Sequence, residues 1–211
     1  MTTVNKESEE ELQAKKDREE EAKKLVTAIY TVTQQMLQAE FPAYQVEGQM
    51  MNNSLLGPII AYRLKSNDTK KEYACGFFIN ELLEKHRDPE LAKQWLASFY
   101  IDLINEGPSG KPLPEPPKTN EESKKLFDEV IVPHCAKSAR DEFPMEQVYV
   151  NLSMHEQAGP VLEAGFPAIK EGNNVCAMPF HLLLTMQLLN RDPADPVVNG
   201  LYKIRKEHGL E

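Results

Sequence analysis

Apolar and polar positions along this chain follow two alternating periods. Leu25, Ile29, Val32 and Met36 recur at helical spacing, with Val26, Tyr30, Thr33 and Leu37 running beside them. That broad stripe predicts a helix, and Pro42 ends it by disfavouring helical geometry at Phe41. The period then shortens to two. Tyr44 through Val46 to Met50, Ile59–Leu64 and Tyr73–Ile79 read as three strands, separated by turns at Gly57-Pro58 and Ser66-Asn67-Asp68. Short connections make them antiparallel. Two helices follow. Asn80–His86 is short. The next starts at Asp88-Pro89, with Asp88 as N-cap and Pro89 in the first turn, and carries Leu91, Trp95, Leu96, Phe99, Tyr100, Leu103 and Ile104. Trp95 is expected to be buried between Leu91 and Phe99, one turn to either side.

The same order then recurs. Thr119 and Glu122 have capping-box spacing, and Leu126, Phe127, Val130 and Ile131 begin a stripe that Pro133 interrupts. Val148, Val150, Leu152 and Met154 alternate with Tyr149, Asn151 and Ser153, a half-buried strand. Gly159-Pro160 and Gly172-Asn173-Asn174 are turns, Val175–Phe180 is a strand and His181–Asn190 a helix. The last helix starts at Asp192-Pro193 or Asp195-Pro196. Val197, Val198, Leu201, Tyr202 and Ile204 form its stripe, and Gly209 ends it.

The recurrence extends to residue identity. Glu40, Phe41, Pro42, Gln45, Val46, Gly57 and Pro58 meet Glu142, Phe143, Pro144, Gln147, Val148, Gly159 and Pro160 at an offset of 102. Lys23-Lys24-Leu25 and Cys75 meet Lys124-Lys125-Leu126 and Cys176 at 101, and Arg87-Asp88-Pro89 meets Arg191-Asp192-Pro193 at 104. Drift of this size belongs in loops. The sequence therefore predicts an α+β fold: an internally duplicated α-β-β-β-α-α unit, mostly antiparallel, with the two copies packed about a pseudo-two-fold axis. Its divisions are a polar charged arm at 1–22, a first repeat at 23–107, a proline-rich linker at 108–123 and a second repeat at 124–211. The linker also carries Lys111, Pro114 and Pro117 at the spacing that polyproline-reading grooves accept.

Composition narrows the function. The chain has 211 residues, 41% hydrophobic, and a net charge of −9 from 24 Lys+Arg against 33 Asp+Glu. That acidity argues against a nucleic-acid binder, which needs a clustered positive surface, and against contact with an anionic membrane. Three unpaired-looking cysteines suit neither a disulfide framework nor a Cys-based zinc site. The N-terminus lacks the apolar stretch of a signal peptide, and no run suits a spanning helix, so the expected location is the cytoplasm. The arm mixes both signs, eight acids and six bases in residues 1–24, and either extends the first helix or stays unstructured.

The repeated residues act chiefly as punctuation. Cys75 and Cys176 fall in strands and read as small buried hydrophobes. The weak catalytic candidates are His134, Cys135, His155 and His181. His134-Cys135 follows Pro133 and offers the residue types of a Cys-His nucleophile or half a metal site, though neighbours on a helix point about 100° apart. Three of the five histidines, His134, His155 and His181, have no first-repeat equivalent. No cofactor-binding motif and no metal-ligand set is present, so no cofactor or metal is expected. Two functions follow. One is a non-catalytic cytoplasmic adaptor that binds a protein partner through a duplicated scaffold. The other is a small-molecule binder or enzyme with an asymmetric site between the repeats.

Overall fold

The computed structural model describes residues 9–170 and 172–210. The first eight residues of the expected arm lie outside the described residues. The chain divides into two compact units, one of residues up to Lys111 and the other of residues from Pro112 onward together with Ser54–Leu56 and Ala74–Gly76. The class is α+β. Each unit is a three-stranded antiparallel sheet flanked by helices, and the order of elements repeats.

The first unit comprises α1 (Glu9–Glu40), β1 (Tyr44–Asn53), β2 (Gly57–Ser66), β3 (Glu72–Phe78), α2 (Ile79–Lys85) and α3 (Pro89–Glu106), with sheet order β1-β2-β3. The second comprises α4 (Asn120–Leu126), a π-helical turn (Phe127–Ile131), α5 (Val132–Glu142), β4 (Tyr149–His155), β5 (Gly159–Gly165), β6 (Val175–Pro179), α6 (Phe180–Leu188) and α7 (Asp195–Glu207), with order β4-β5-β6. The two hairpins share one register. Gln49 faces Ala61 and Asn151 faces Glu163, the same pair moved by 102 positions. Both hairpin turns close with a glycine at positive φ, Gly57 at 81° and Gly159 at 70°, a conformation in which a side chain would be strained.

Local signals set the helix starts. Asp88 accepts from Glu90 N and Leu91 N at 3.1 and 3.2 Å, with Pro89 in the first turn. Thr119 Oγ1 accepts from Glu122 N at 3.1 Å, while the Glu122 carboxylate reaches the Lys118 amide, one residue before the usual capping-box target. Of the two openings available to the last helix, Asp195-Pro196 is the one used.

Helix faces depart from the expected ones. Leu25 and Val32 are exposed, and the buried row of α1 is Ile29, Thr33 and Leu37. Thr33 is tolerated there because its hydroxyl lies 2.8 Å from His86 Nε2. On α3 Leu91 is exposed and Trp95 only half-buried, against the expectation of a buried tryptophan; Ala92, Leu96, Ala97, Tyr100 and Leu103 form the buried row. Small alanines let the helix approach closely, which pushes the large indole to the margin. There it packs on Phe77 and Phe99, at centroid distances of 5.3 and 5.2 Å.

The drift in the repeat also has an unexpected location. Its step from 101 at Leu25/Leu126 to 102 at Glu40/Glu142 falls inside a helix, and the π-turn Phe127–Ile131 is there. A π-turn holds one extra residue per turn. From its last residue onward, Ile131, Cys135 and Ala139 are fully buried at the positions of Ile29, Thr33 and Leu37.

One device of the first unit bears on the site. Tyr30, Gln34 and Gln38 stand four residues apart on α1, beside the buried row. Gln38 Nε2 donates to the Tyr44 carbonyl at 2.8 Å, Gln34 Nε2 to the Val46 carbonyl at 2.9 Å and the Tyr30 hydroxyl to the Gly48 carbonyl at 2.9 Å. Val46 N returns a bond to Gln38 Oε1 at 3.1 Å. Four helical residues advance about 6 Å and two strand residues about 6.7 Å, so the two rows stay matched over three rungs. Gly48 makes room for the topmost rung, because a Cβ there would lie 2.5 Å from the Tyr30 ring and displace it. These side chains seal the outer edge of β1 from Tyr44 to Gly48, a row of backbone groups that would otherwise invite another strand.

Candidate functional site

The second unit lacks that seal. At the 102 offset, Tyr30, Gln34 and Gln38 are replaced by Val132, Ala136 and Arg140. Valine and alanine have no group to offer a strand edge. Among the described residues no side-chain hydrogen bond reaches the backbone of Val148, Val150, Leu152 or Met154. Gly48 faces Tyr62 and Val150 faces Ala164, the same pairing. The N–H and C=O groups of Val150, Leu152 and Met154 therefore point away from β5, as those of Val46 point away from β2.

The side chains of this strand run out of the core as well. Val148 is buried and Val150 half-buried, but Leu152 is 51% and Met154 77% exposed. The expected half-buried strand is buried at one end only. Its apolar face continues into a groove of about 610 Å³ lined by Asn120, Ser123, Lys124, Phe127, Asp128, Leu152, Ser153, Met154, Pro160 and Phe180. That volume lies within the range of ligand-holding clefts. Phe127 and Phe180 meet at a centroid distance of 4.5 Å and close its inner end. Three of the polar groups on its wall are already engaged, and Ser123 Oγ donates to the Thr119 carbonyl at 3.0 Å. Lys124 Nζ pairs with Asp128, and Ser153 Oγ donates to Glu163 at 2.5 Å. The groove thus offers apolar surface and a strand edge.

The residues with chemical potential are elsewhere in this unit. Cys135 is fully buried on α5, its thiol directed at the Pro193 carbonyl at 3.5 Å. Burial, reinforced by the nearby Asp192 carboxylate, pushes that thiol up to about 12. His134 turns away to Asp192, Nε2 to Oδ1 at 2.7 Å, in an exposed pair. Asp192 Oδ1 also accepts from Ala194 N at 2.8 Å, so the carboxylate holds the bend before α7. His155 ends β4, exposed, and its Nδ1 accepts from Gln157 N and Ala158 N, both at 3.3 Å. His181 lies half-buried in the first turn of α6. Cys176 is half-buried in β6 with its thiol on the Ala164 carbonyl at 3.4 Å, and burial raises it too. His134, Cys135, His155 and Cys176 each have a local partner, and among the described residues no three His, Cys, Asp or Glu side chains gather as a metal site would require.

A second cleft, of about 580 Å³, lies at the end of α7 among Glu142, Phe143, Tyr202, Lys203, Arg205 and Lys206. There the Tyr202 hydroxyl donates to Glu142, and Arg205 pairs with Glu146 and stacks over Phe143 at 5.6 Å. Among the described residues no helix is long and apolar enough to cross a membrane. No protein-family model, curated protein or solved structure matches the chain.

Proposed function

We propose that this chain is a non-catalytic binding protein, a duplicated α+β scaffold whose second unit holds an apolar polypeptide segment in the groove beside β4. The observation that carries the reading is the exposure of Leu152 and Met154 on one face of a strand whose outer edge is unsealed. Apolar side chains at alternate positions beside free backbone groups are the equipment for strand addition, in which main-chain bonds supply affinity and side-chain pockets supply selectivity. His134, Cys135, His155 and Cys176 are each engaged with a local partner outside the groove lining, which supports a binding role over a catalytic one.

The test is a photo-crosslinking residue placed at Ser153 in the full chain, expressed in its own host. The expected result is a cross-linked polypeptide that disappears when Leu152 and Met154 are both changed to aspartate. Recovery of a small molecule, with no polypeptide, would overturn the reading in favour of a ligand-binding or enzymatic one.

A further inference from the structure

We infer that the polypeptide at this site is a second copy of the same chain, paired antiparallel along β4 about a two-fold axis at Leu152. The inference rests on the groove reading above and names its occupant. Three observations carry it.

The first is which edge is open. In the first unit Tyr30, Gln34 and Gln38 close the β1 edge from Tyr44 to Gly48, whereas the equivalent helix of the second unit presents Val132 and Ala136, so the β4 edge is open at Val150 as well as at Leu152 and Met154. The second is register. The outward backbone groups belong to Val150, Leu152 and Met154, so an antiparallel twin centred on Leu152 sets Leu152 against Leu152 and Val150 against Met154. All of these are positions where facing residues exchange both backbone bonds.

The third is the polarity and charge of the strand. β4 reads Tyr149-Val150-Asn151-Leu152-Ser153-Met154-His155. Its pattern is the same from either end about Leu152. In the twin pairing apolar meets apolar on the groove face, while Asn151 meets Ser153 and Tyr149 meets His155 on the other. The strand carries no acid, no lysine and no proline, the residues that ordinarily guard an edge. Although the whole chain has a net charge of −9, no two like charges face each other over these seven residues. Just beyond them Glu156 faces Val148. Cross-strand complementarity of this kind is what stabilises a sheet pairing, and an isologous contact closes after two copies. The groove beside each β4 then receives the Leu152 and Val150 side chains of the twin strand.

Sedimentation velocity of the full chain, 24.0 kDa as a monomer, tests this at concentrations up to about 100 µM, since one short edge belongs to the weak class of interfaces. The expected result is a concentration-dependent species of twice that mass. Leu152→Lys and Leu152→Glu should each be monomeric, because every copy then meets its own charge at the axis. Mixing them should restore the dimer. Should either charged variant fail to fold, Leu152→Cys is the milder probe: under mild oxidation it should give a covalent dimer that Met145→Cys does not. A wild-type monomer, or dimers that survive both charged variants, overturns the inference. If the wild type is monomeric while Ser153 still cross-links to a different polypeptide, self-pairing fails and the groove reading stands. If no polypeptide is captured, both fall.

Discussion

Replacing Gln34 and Gln38 together by alanine removes two rungs of the ladder between α1 and β1. Three hydrogen bonds are lost: Gln38 to the Tyr44 carbonyl, Gln34 to the Val46 carbonyl and the Val46 amide to Gln38. Each is worth about 1 kcal/mol net, with a larger penalty where the orphaned backbone group stays dry. Val46 is buried, but Gln38 is exposed, so water replaces part of what is lost. The sum is about 2–3 kcal/mol. Alanine is a better helix former than glutamine, so propensity works against the loss and does not create it. At this chain length roughly 2–4 °C of melting temperature follows each kcal/mol, giving a fall of about 5–10 °C. Gln35→Ala is the control. It sits between the two on the exposed face, where surface substitutions stay within about 0.5 kcal/mol. Hydrogen exchange adds a local reading, because the Val46 amide should lose protection in Gln38→Ala and keep it in Gln35→Ala. A double variant melting within about 2 °C of the Gln35 control, with Val46 exchange unchanged, would refute the ladder as a source of stability.

Three further outcomes are expected. His86 is half-buried against the Thr33 hydroxyl, and burial lowers its pKa; the unfolded chain therefore binds the proton more readily, so stability should be full above about pH 6.5 and decline as pH falls below it. A thermal-melt series from pH 7.5 to 5 should show that decline, and a His86→Gln variant with the same slope would contradict it. The Cys135 thiol, pushed up to about 12 and fully buried, should resist iodoacetamide at pH 8 in the native protein and react only on unfolding, as peptide mapping would show. Leu96→Ala should cost about 2–5 kcal/mol by chemical denaturation, while Leu91→Ala stays within about 0.5 kcal/mol; equal losses would restore the helix face expected from the sequence.

The order of elements was legible because punctuation here is chemically strong. Proline cannot continue a helix at Pro42, glycine turns a hairpin at Gly57 and Gly159, and Asp88 caps a helix whose first turn holds Pro89. Faces were less legible. Leu25 and Val32 outrank Thr33 in hydrophobicity, yet Thr33 is buried because His86, fifty-three residues away, satisfies its hydroxyl. Ala92 and Ala97 carry little apolar weight, and their smallness is what brings α3 close. In β4 the alternation is real but says nothing of where the covering layer stops, so exposed Leu152 and Met154 resemble buried Val148 in a list of residues. The ladder did leave a trace: a polar row of period four, Tyr30, Gln34 and Gln38, adjoining an apolar row. Its absence at Val132 and Ala136 is readable only once the repeats are aligned past the added residue. Histidine and cysteine declare their chemistry by residue type alone, whereas their surroundings depend on chain neighbours as remote as Asp192 and Pro193.

That added residue has a consequence for how the two halves can diverge. An insertion in a regular helix turns everything beyond it by about 100°, which here would swing a buried row into solvent. The widened turn at Phe127–Ile131 takes up the surplus locally, so Ile131, Cys135 and Ala139 keep their phase. Upstream, α4 has no buried residue to keep in phase. The turn separates a segment whose phase is held by buried residues from one anchored only by half-buried Leu126. The wall that carries Asn120, Ser123 and Lys124 is thus held to the interior by fewer contacts than the helix below it, and a change of direction there would cost less than one past Ile131.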